Sequence, residues 1–358
     1  MYKTRQLPGF VIFRASILCK MERQQGYLQH PISNYHAEPN FEMYRIVTVS
    51  GEANRVMPLQ IKLKSRPAIL PLYLRALTAR KQGRLAGEGG RILASVSLNN
   101  QAVDPISLRA YREVCGFADG SQLPATYPFV LAMPLQLRLL VSEAFPFPVL
   151  GVVHLRNRIR QYRGLQESER LDIRCDLCAP VAVKRGYEFE LVTSIRVAGE
   201  LVWESTSTLM SRVKHQDTQT LRTPAATQRG GGKSDVADTV SQDWQVAADT
   251  GRRYARISGD RNPIHLCAPT AKLFGFPRAI AHGMWSKARC LAALEEGVFA
   301  GKLPTQFEVE VAFIKPIFLP ARVSFESSTD TDGTVFQVYS GEGKRVHLTG
   351  KLVALREV

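Results

Sequence analysis

Apolar and polar positions show no sustained period through residues 1–66, and a clear one from Pro67 onward. Leu70, Leu72, Leu74 and Leu77 open a compact unit, a glycine-rich turn follows over residues 87–90, and Ile92–Leu98 then alternates as a half-buried strand does. Residues 107–116 space their apolar side chains as a short helix and end on a glycine suited to a left-handed cap. The apolar run Leu131–Ala144 predicts a central helix with Pro134 in its first turn, where the missing N–H costs little. Strands are predicted at Val149–Arg160, Ser168–Leu177, Tyr187–Val197 and Glu200–Met210. Lys214–Asp243, rich in Gln, Thr, Ser, Asp and Gly, breaks the pattern and reads as a linker. Beyond it the pattern predicts a helix starting near His282 and strands at Thr305–Ile314, Arg322–Ser328, Val335–Ser340 and Val346–Leu355. The expected organisation is a basic, poorly structured extension (1–66), a first unit (67–213), a linker (214–243) and a second unit (244–358). The extension also reads as an over-long frame with a start at Met43 or Met57.

The two units align as diverged copies. Tyr111, Cys115 and Gly116 match Tyr254, Ser258 and Gly259, and Pro128–Pro134 is expected to match Pro277–Gly283. Downstream, Val153–Leu165 and Gly186–Arg212 match Val309–Leu319 and Gly333–Arg356. In this alignment Phe117 stands in the place of Asp260 and Pro134 in that of Gly283, so the first copy has lost its polar groups.

The composition of the 358 residues, 45% hydrophobic and 22% charged, is that of a globular protein. The net charge of +15 raises nucleic acid as a partner, but residues 1–66 carry ten Lys and Arg against four Glu, and the rest is dispersed without a dense block. No nucleic-acid partner is expected; the basic balance suits an anionic small ligand. Cys175 and Cys178 form a lone CxxC within a predicted strand, whose alternation points the thiols apart, so reduced cysteines in a cytoplasmic protein are expected. No apolar run reaches the length of a membrane span, and Arg14 interrupts the faintly signal-like N-terminus. Gly232-Lys233-Ser234 is not a phosphate loop, because Thr227 replaces its first glycine.

The chemistry concentrates at residues 254–294. Asn262 is a good helix N-cap and Pro263 suits the first helical position, so His265 falls in the first turn with Asp260 on the loop just before it. The two side chains can converge on one water. His282 and Gly283 open the next helical run, and Gly283 offers a backbone N–H that no side chain obstructs. His265 and His282 lack the spacing and companion ligands of a zinc site, and no metal is expected.

Tyr254, Ser258, Gly259, Asp260, Asn262, Pro263, Ile264 and His265, followed by His282 and Gly283, resemble the signature of the MaoC-like dehydratases, also called R-specific enoyl-CoA hydratases. The resemblance implies an α+β fold of double hotdog type, two curved antiparallel sheets each wrapped round a helix, with an inactive first copy and an active second. It implies an R-specific 3-hydroxyacyl-thioester dehydratase, equivalently a trans-2-enoyl-CoA hydratase. Asp260 and His265 would be its acid–base pair, Gly283 its oxyanion donor and Asn262 a supporting residue. Ser258, Gly259 and His282, together with Phe117 and Met133 of the first copy, would line the substrate. The reaction needs no redox cofactor, and the acyl chain would arrive on coenzyme A or acyl carrier protein. Two copies in one chain make a pseudo-dimer, which leaves a further homodimer open. The alternatives are a hotdog acyl-thioesterase and a non-catalytic acyl-thioester binding protein.

Overall fold

The structure is a computed structural model and describes residues 41–44, 58–78, 81, 90–212, 238–343 and 345–355. Most of the extension, residues 87–89 of the glycine-rich turn, residue 213 and linker residues 214–237 lie outside the described residues. Asn40–Val358 forms one compact unit, and everything below concerns it.

Its strands are β1 (Phe41–Tyr44), β2 (Leu59–Leu63), β3 (Ile92–Gln101), β4 (Val153–Gln161), β5 (Leu171–Cys178), β6 (Val181–Val183), β7 (Gly186–Val197), β8 (Glu200–Ser211), β9 (Asp238–Val246), β10 (Phe307–Phe313), β11 (Ala321–Asp330), β12 (Gly333–Ser340) and β13 (Val346–Ala354). Among the described residues the helices are α1 (Ile69–Thr78), α2 (Pro105–Cys115), α3 (Tyr127–Leu140), α4 (Thr250–Ser258), α5 (Ala268–Lys272) and α6 (Gly283–Gly297), with a 3₁₀ turn at Pro263–His265. All strands join one sheet in the order β1-β2-β3-β5-β7-β8-β4-β10-β13-β12-β11-β9, with β6 paired to β7.

That order proves the repeat. From β3 to β4 the sequence of strands is mirrored from β9 to β10, and the copies meet where β4 and β10 pair antiparallel, with Ile159 opposite Val309 and Asn157 opposite Val311. Copies related by a two-fold axis can touch through equivalent residues only at that axis. Tyr111 and Tyr254 do so, with ring centroids 6.2 Å apart, flanked by an ion pair between Glu113 and Arg253. Both tyrosines are buried, and a single apolar core runs through the two copies. This is the α+β double hotdog the resemblance implies.

Several expectations need correction. Residues 59–63 are not part of a loose extension: Leu59, Ile61 and Leu63 alternate with polar neighbours, and β2 pairs parallel to β3 with Ile61 and Leu63 buried. The last residues of the expected linker, from Asp238, already form β9, where Trp244 stacks on Phe325. The central helix of the first copy starts at Tyr127 rather than Leu131. Pro128 takes the early-helix place expected of Pro134, which sits instead inside the helix. An internal proline leaves the carbonyl four residues back without its N–H. Here that carbonyl is Val130 O, and Arg66 Nη2 donates to it at 3.2 Å.

The helix starts also shift the alignment. Thr126 and Tyr127, not Met133 and Pro134, match His282 and Gly283, because each pair ends a loop and opens the long helix. In both copies the loop before that helix is tied to the segment after the seam strand, by Leu123 N–H to Leu165 O in the first and Ala281 N–H to Ile317 O in the second. Among the described residues no helix is long and apolar enough to cross a membrane.

Candidate active site

The site is assembled by a loop between α4 and the 3₁₀ turn. α4 ends on Gly259, whose φ of 76° is a left-handed cap that turns the chain sharply. Ser258 is buried, donates to Tyr254 O at 2.9 Å and accepts from Asp260 N–H at 3.1 Å, so it shapes this loop. A side chain at Gly259 would meet Ile69 of α1 at 3.0 Å. Ser258 and Gly259 thus build the loop that carries Asp260. Asn262 caps the next turn as the sequence predicts, its Oδ1 accepting from Ile264 N–H at 3.4 Å, but the turn stops at His265 instead of continuing as an α-helix.

Asp260 Oδ1 accepts from Asn262 N–H at 3.2 Å and from the Tyr73 hydroxyl at 2.9 Å. Its Oδ2 has no hydrogen bond and lies 3.8 Å from His282 Nε2, while a third of the side chain is exposed. His265 Nδ1 lies 2.8 Å from Ile280 O; a carbonyl can only accept, so Nδ1 carries the proton and Nε2 the lone pair. By the same logic His282 Nε2 donates to Asp260 O at 3.0 Å, which leaves Nδ1 the unprotonated nitrogen, buried and without a partner. The two imidazoles stack with centroids 3.7 Å apart and planes inclined by 25°. Tyr254 lies against the other side of His282 at 4.9 Å.

Electrostatics suit proton transfer near neutrality. Burial alone would raise the Asp260 carboxyl, but the imidazoles of His282 and His265, the Asn262 N–H and the Tyr73 hydroxyl outweigh it and hold it below its ordinary value. Burial lowers His265 against the opposing pull of Asp260 and Ile280 O. Burial, and then the neighbouring His265, pushes His282 down to about 3. Both imidazoles are therefore neutral at pH 7 beside an ionised carboxylate.

Donor atoms of Asp260, His265 and His282 lie within 4.8 Å of one another. A water hydrogen-bonded to two groups at ordinary lengths spans roughly 4.5 Å between them, so one water fits between the carboxylate and an imidazole. A shared metal fits poorly. Ring lone pairs lie in the ring plane, and two stacked rings aim theirs side by side rather than at one point. Beside this trio α6 begins, and Gly283 N–H, at its first position, has no acceptor within the helix. A side chain at Gly283 would come within 3.0 Å of the Phe313 ring, so glycine is required there for packing as well as for access.

Not every expected residue joins the site. Phe117 is buried against Tyr111 in the first copy, and Met133 lies nearly two turns into α3; neither forms a hydrogen bond or ring contact with the trio. His154 rests between Phe129 and Phe313, its pKa lowered to about 4 by burial and then Lys287. A polar cavity of about 260 Å³ lies elsewhere, beside the matching loop of the first copy, among Arg112, Gln122, Glu295 and Phe307, and holds no such acid–base pair.

Two residues escaped the sequence reading. Tyr73 reaches Asp260 from 187 positions away. Lys287, fully buried in α6, directs its ammonium to Asn157 O (3.0 Å), Asn157 Oδ1 (2.7 Å) and Val309 O (3.0 Å) at the seam between the copies.

The scaffold defines a hotdog protein in two copies, with Asp260, His265 and His282 gathered in the second. Comparison with known proteins gives the branch. Residues 233–351 match a family profile described as a MaoC like domain. The chain is 33% identical over 227 residues to 3-hydroxyacyl-thioester dehydratase X of Mycobacterium tuberculosis, spanning 63% of this chain and 77% of that protein. The crystal structure of HtdX of Mycobacterium tuberculosis superposes with a TM-score of 0.61 at 30% identity, over 73% of this chain and 100% of that one. A MaoC-like dehydratase from Phytophthora capsici shares the fold, with a TM-score of 0.61 at 18% identity, over 78% and 99% of the two chains. The protein belongs to the MaoC-like dehydratase family.

Proposed function

We propose that the protein is a hydro-lyase that adds water reversibly to a trans-2-enoyl thioester, giving an (R)-3-hydroxyacyl thioester. The observation that carries the reading is the clustering of Asp260, His265 and His282 with polar atoms within 4.8 Å of one another, Asp260 Oδ2 free of hydrogen bonds and His265 Nε2 bearing a lone pair, beside the Gly283 N–H at the start of α6. In hydration, both basic groups accept hydrogen bonds from the water and aim its oxygen at C3. As the C–O bond forms, one water proton passes to the pair and the negative charge moves through C2 to the thioester oxygen. Gly283 N–H, backed by the dipole of α6, holds that charge. The protonated partner then returns its proton to C2, so water is added across the double bond and the pair is restored. His265 is assigned the water proton, with Asp260 orienting the water. Asn262 and Ser258 keep the loop in register, and His282 ties the loop to the start of α6 through Asp260 O.

The acyl group arrives on coenzyme A or a carrier protein, and no redox cofactor takes part, since no electrons are exchanged. Cytoplasmic location belongs to the same reading. The test is loss of the enoyl-thioester absorbance of crotonyl-CoA, with wild type, Asp260→Asn and His265→Asn compared. Loss of two to four orders of magnitude in both variants is expected. Release of free thiol by the wild type without consumption of the double bond would overturn it in favour of a thioesterase.

A further inference from the structure

The hydrogen bond from Tyr73 to Asp260 joins the second-copy site to a helix that precedes the first copy. We propose that Tyr73 is a positioning residue for the reaction, fixing which oxygen of Asp260 meets the water and how basic that oxygen is. The inference rests on the hydro-lyase reading above.

The geometry carries it in three steps. A free carboxylate can rotate and offer either oxygen. Asp260 cannot, because Tyr73 Oη and Asn262 N–H both donate to Oδ1, leaving Oδ2 open. Tyr73 is buried, and burial, together with the charge of Asp260, raises its hydroxyl well above its ordinary value. It therefore remains a protonated donor wherever the enzyme works.

α1 is held for this task. Ile69 and Tyr73 lie one helical turn apart, on one face, and rest on Gly259 and Asp260 in turn. Just upstream, Arg66 is anchored on the Val130 carbonyl that Pro134 leaves free, and β2 before it is locked into the sheet beside β3. Thus Arg66 and Pro134 connect the first copy's central helix to the second copy's carboxylate.

A purely structural tyrosine would tie α1 down without touching the chemistry. Tyr73→Phe keeps the ring and removes only the hydroxyl, and Ile69→Ala loosens the same helix face while keeping the hydrogen bond. Two readouts are needed: kcat and KM on crotonyl-CoA across pH, and the carbon-13 titration of the Asp260 carboxyl, assigned by its absence in Asp260→Asn. Tyr73→Phe is expected to lower kcat about 10- to 100-fold with KM changed less than about threefold, and to raise the Asp260 titration by about one pH unit. Ile69→Ala is expected to lower thermal stability and to move the titration less. An Asp260 titration unmoved in Tyr73→Phe, or equal shifts in both variants, would overturn the proposal. If the wild type hydrates no enoyl thioester, the hydro-lyase reading fails while the titration still decides the role of Tyr73.

Discussion

The two copies turn the same backbone corner with opposite purposes. Gly116 and Gly259 cap their helices at φ 77° and 76°, and the next residue is the buried Phe117 in one copy and the carboxylate of Asp260 in the other. Tyr111 satisfies its hydroxyl on Thr126 at 2.7 Å, whereas Tyr254 packs on His282. Where the second copy has Ala255, the first has the buried Arg112, which donates to Ala118, Gly120 and Gln122 carbonyls at 2.6–2.7 Å and to Glu167 at 3.2 Å. The first loop is thereby cross-linked, its polar groups consumed. The second leaves Asp260 Oδ2, His282 Nδ1 and Gly283 N–H without protein partners. Unspent polar groups lower stability and supply reactivity, and the comparison shows where each copy placed its share.

The sharpest way to break this contrast is to mutate matching positions. Asp260→Asn should cost two to four orders of magnitude in kcat, while Thr126→Val in the first copy should leave turnover within about twofold, both read on crotonyl-CoA. Acid stability should separate the copies next. An unfolded histidine takes up a proton below pH 6.5, but folded His282 does so only near 3, so folding stability falls as pH drops through that window. Asp260, also depressed, adds a loss of the same sign at lower pH. Urea unfolding between pH 7 and pH 4 should show a decline of a few kcal/mol that His282→Thr, copying the first loop, flattens. Arg112→Ala should then cost about 3 kcal/mol by leaving buried carbonyls unpaired, measured by urea unfolding, with kcat of the folded fraction retained. Smallest are the glycine caps. Gly116→Ala and Gly259→Ala should each cost about 1–2 kcal/mol for the left-handed backbone. Gly116→Ala displaces only the flexible Arg289 side chain, whereas Gly259→Ala pushes Ile69 and should also lower kcat.

Much of this was legible in sequence because local rules dominate locally. The asparagine–proline pair at 262–263 dictates a capped turn, and that turn places His265. The repeat could be read from its tyrosine and glycine landmarks, since both caps need the same backbone. Pro134 misled because proline favours a first turn, and Pro128 had already filled that role. β2 was hidden because five alternating residues carry too little signal beside a stretch without period. Tyr73 was hidden for a different reason. It sits in ILPLYLRAL, which reads as core, and no local rule tells which buried tyrosine will find a carboxylate on a distant loop. Lys287 was hidden too, because its acceptors belong to two strands, 130 and 22 positions away, that only the fold brings to the helix.

Lys287 also bears on whether the halves are separable. Two of its three acceptors, Asn157 O and Oδ1, belong to the first half, and Asn157 is itself held by Ser205 and Ser207 of that half. Severed from its mate, the second half would present a lysine in its central helix with Val309 O alone for company, on a surface otherwise made for contact. The half that holds the chemistry is therefore cut to fit its mate, and a gene trimmed to it would keep the reactive groups while losing two of the three acceptors of its central lysine.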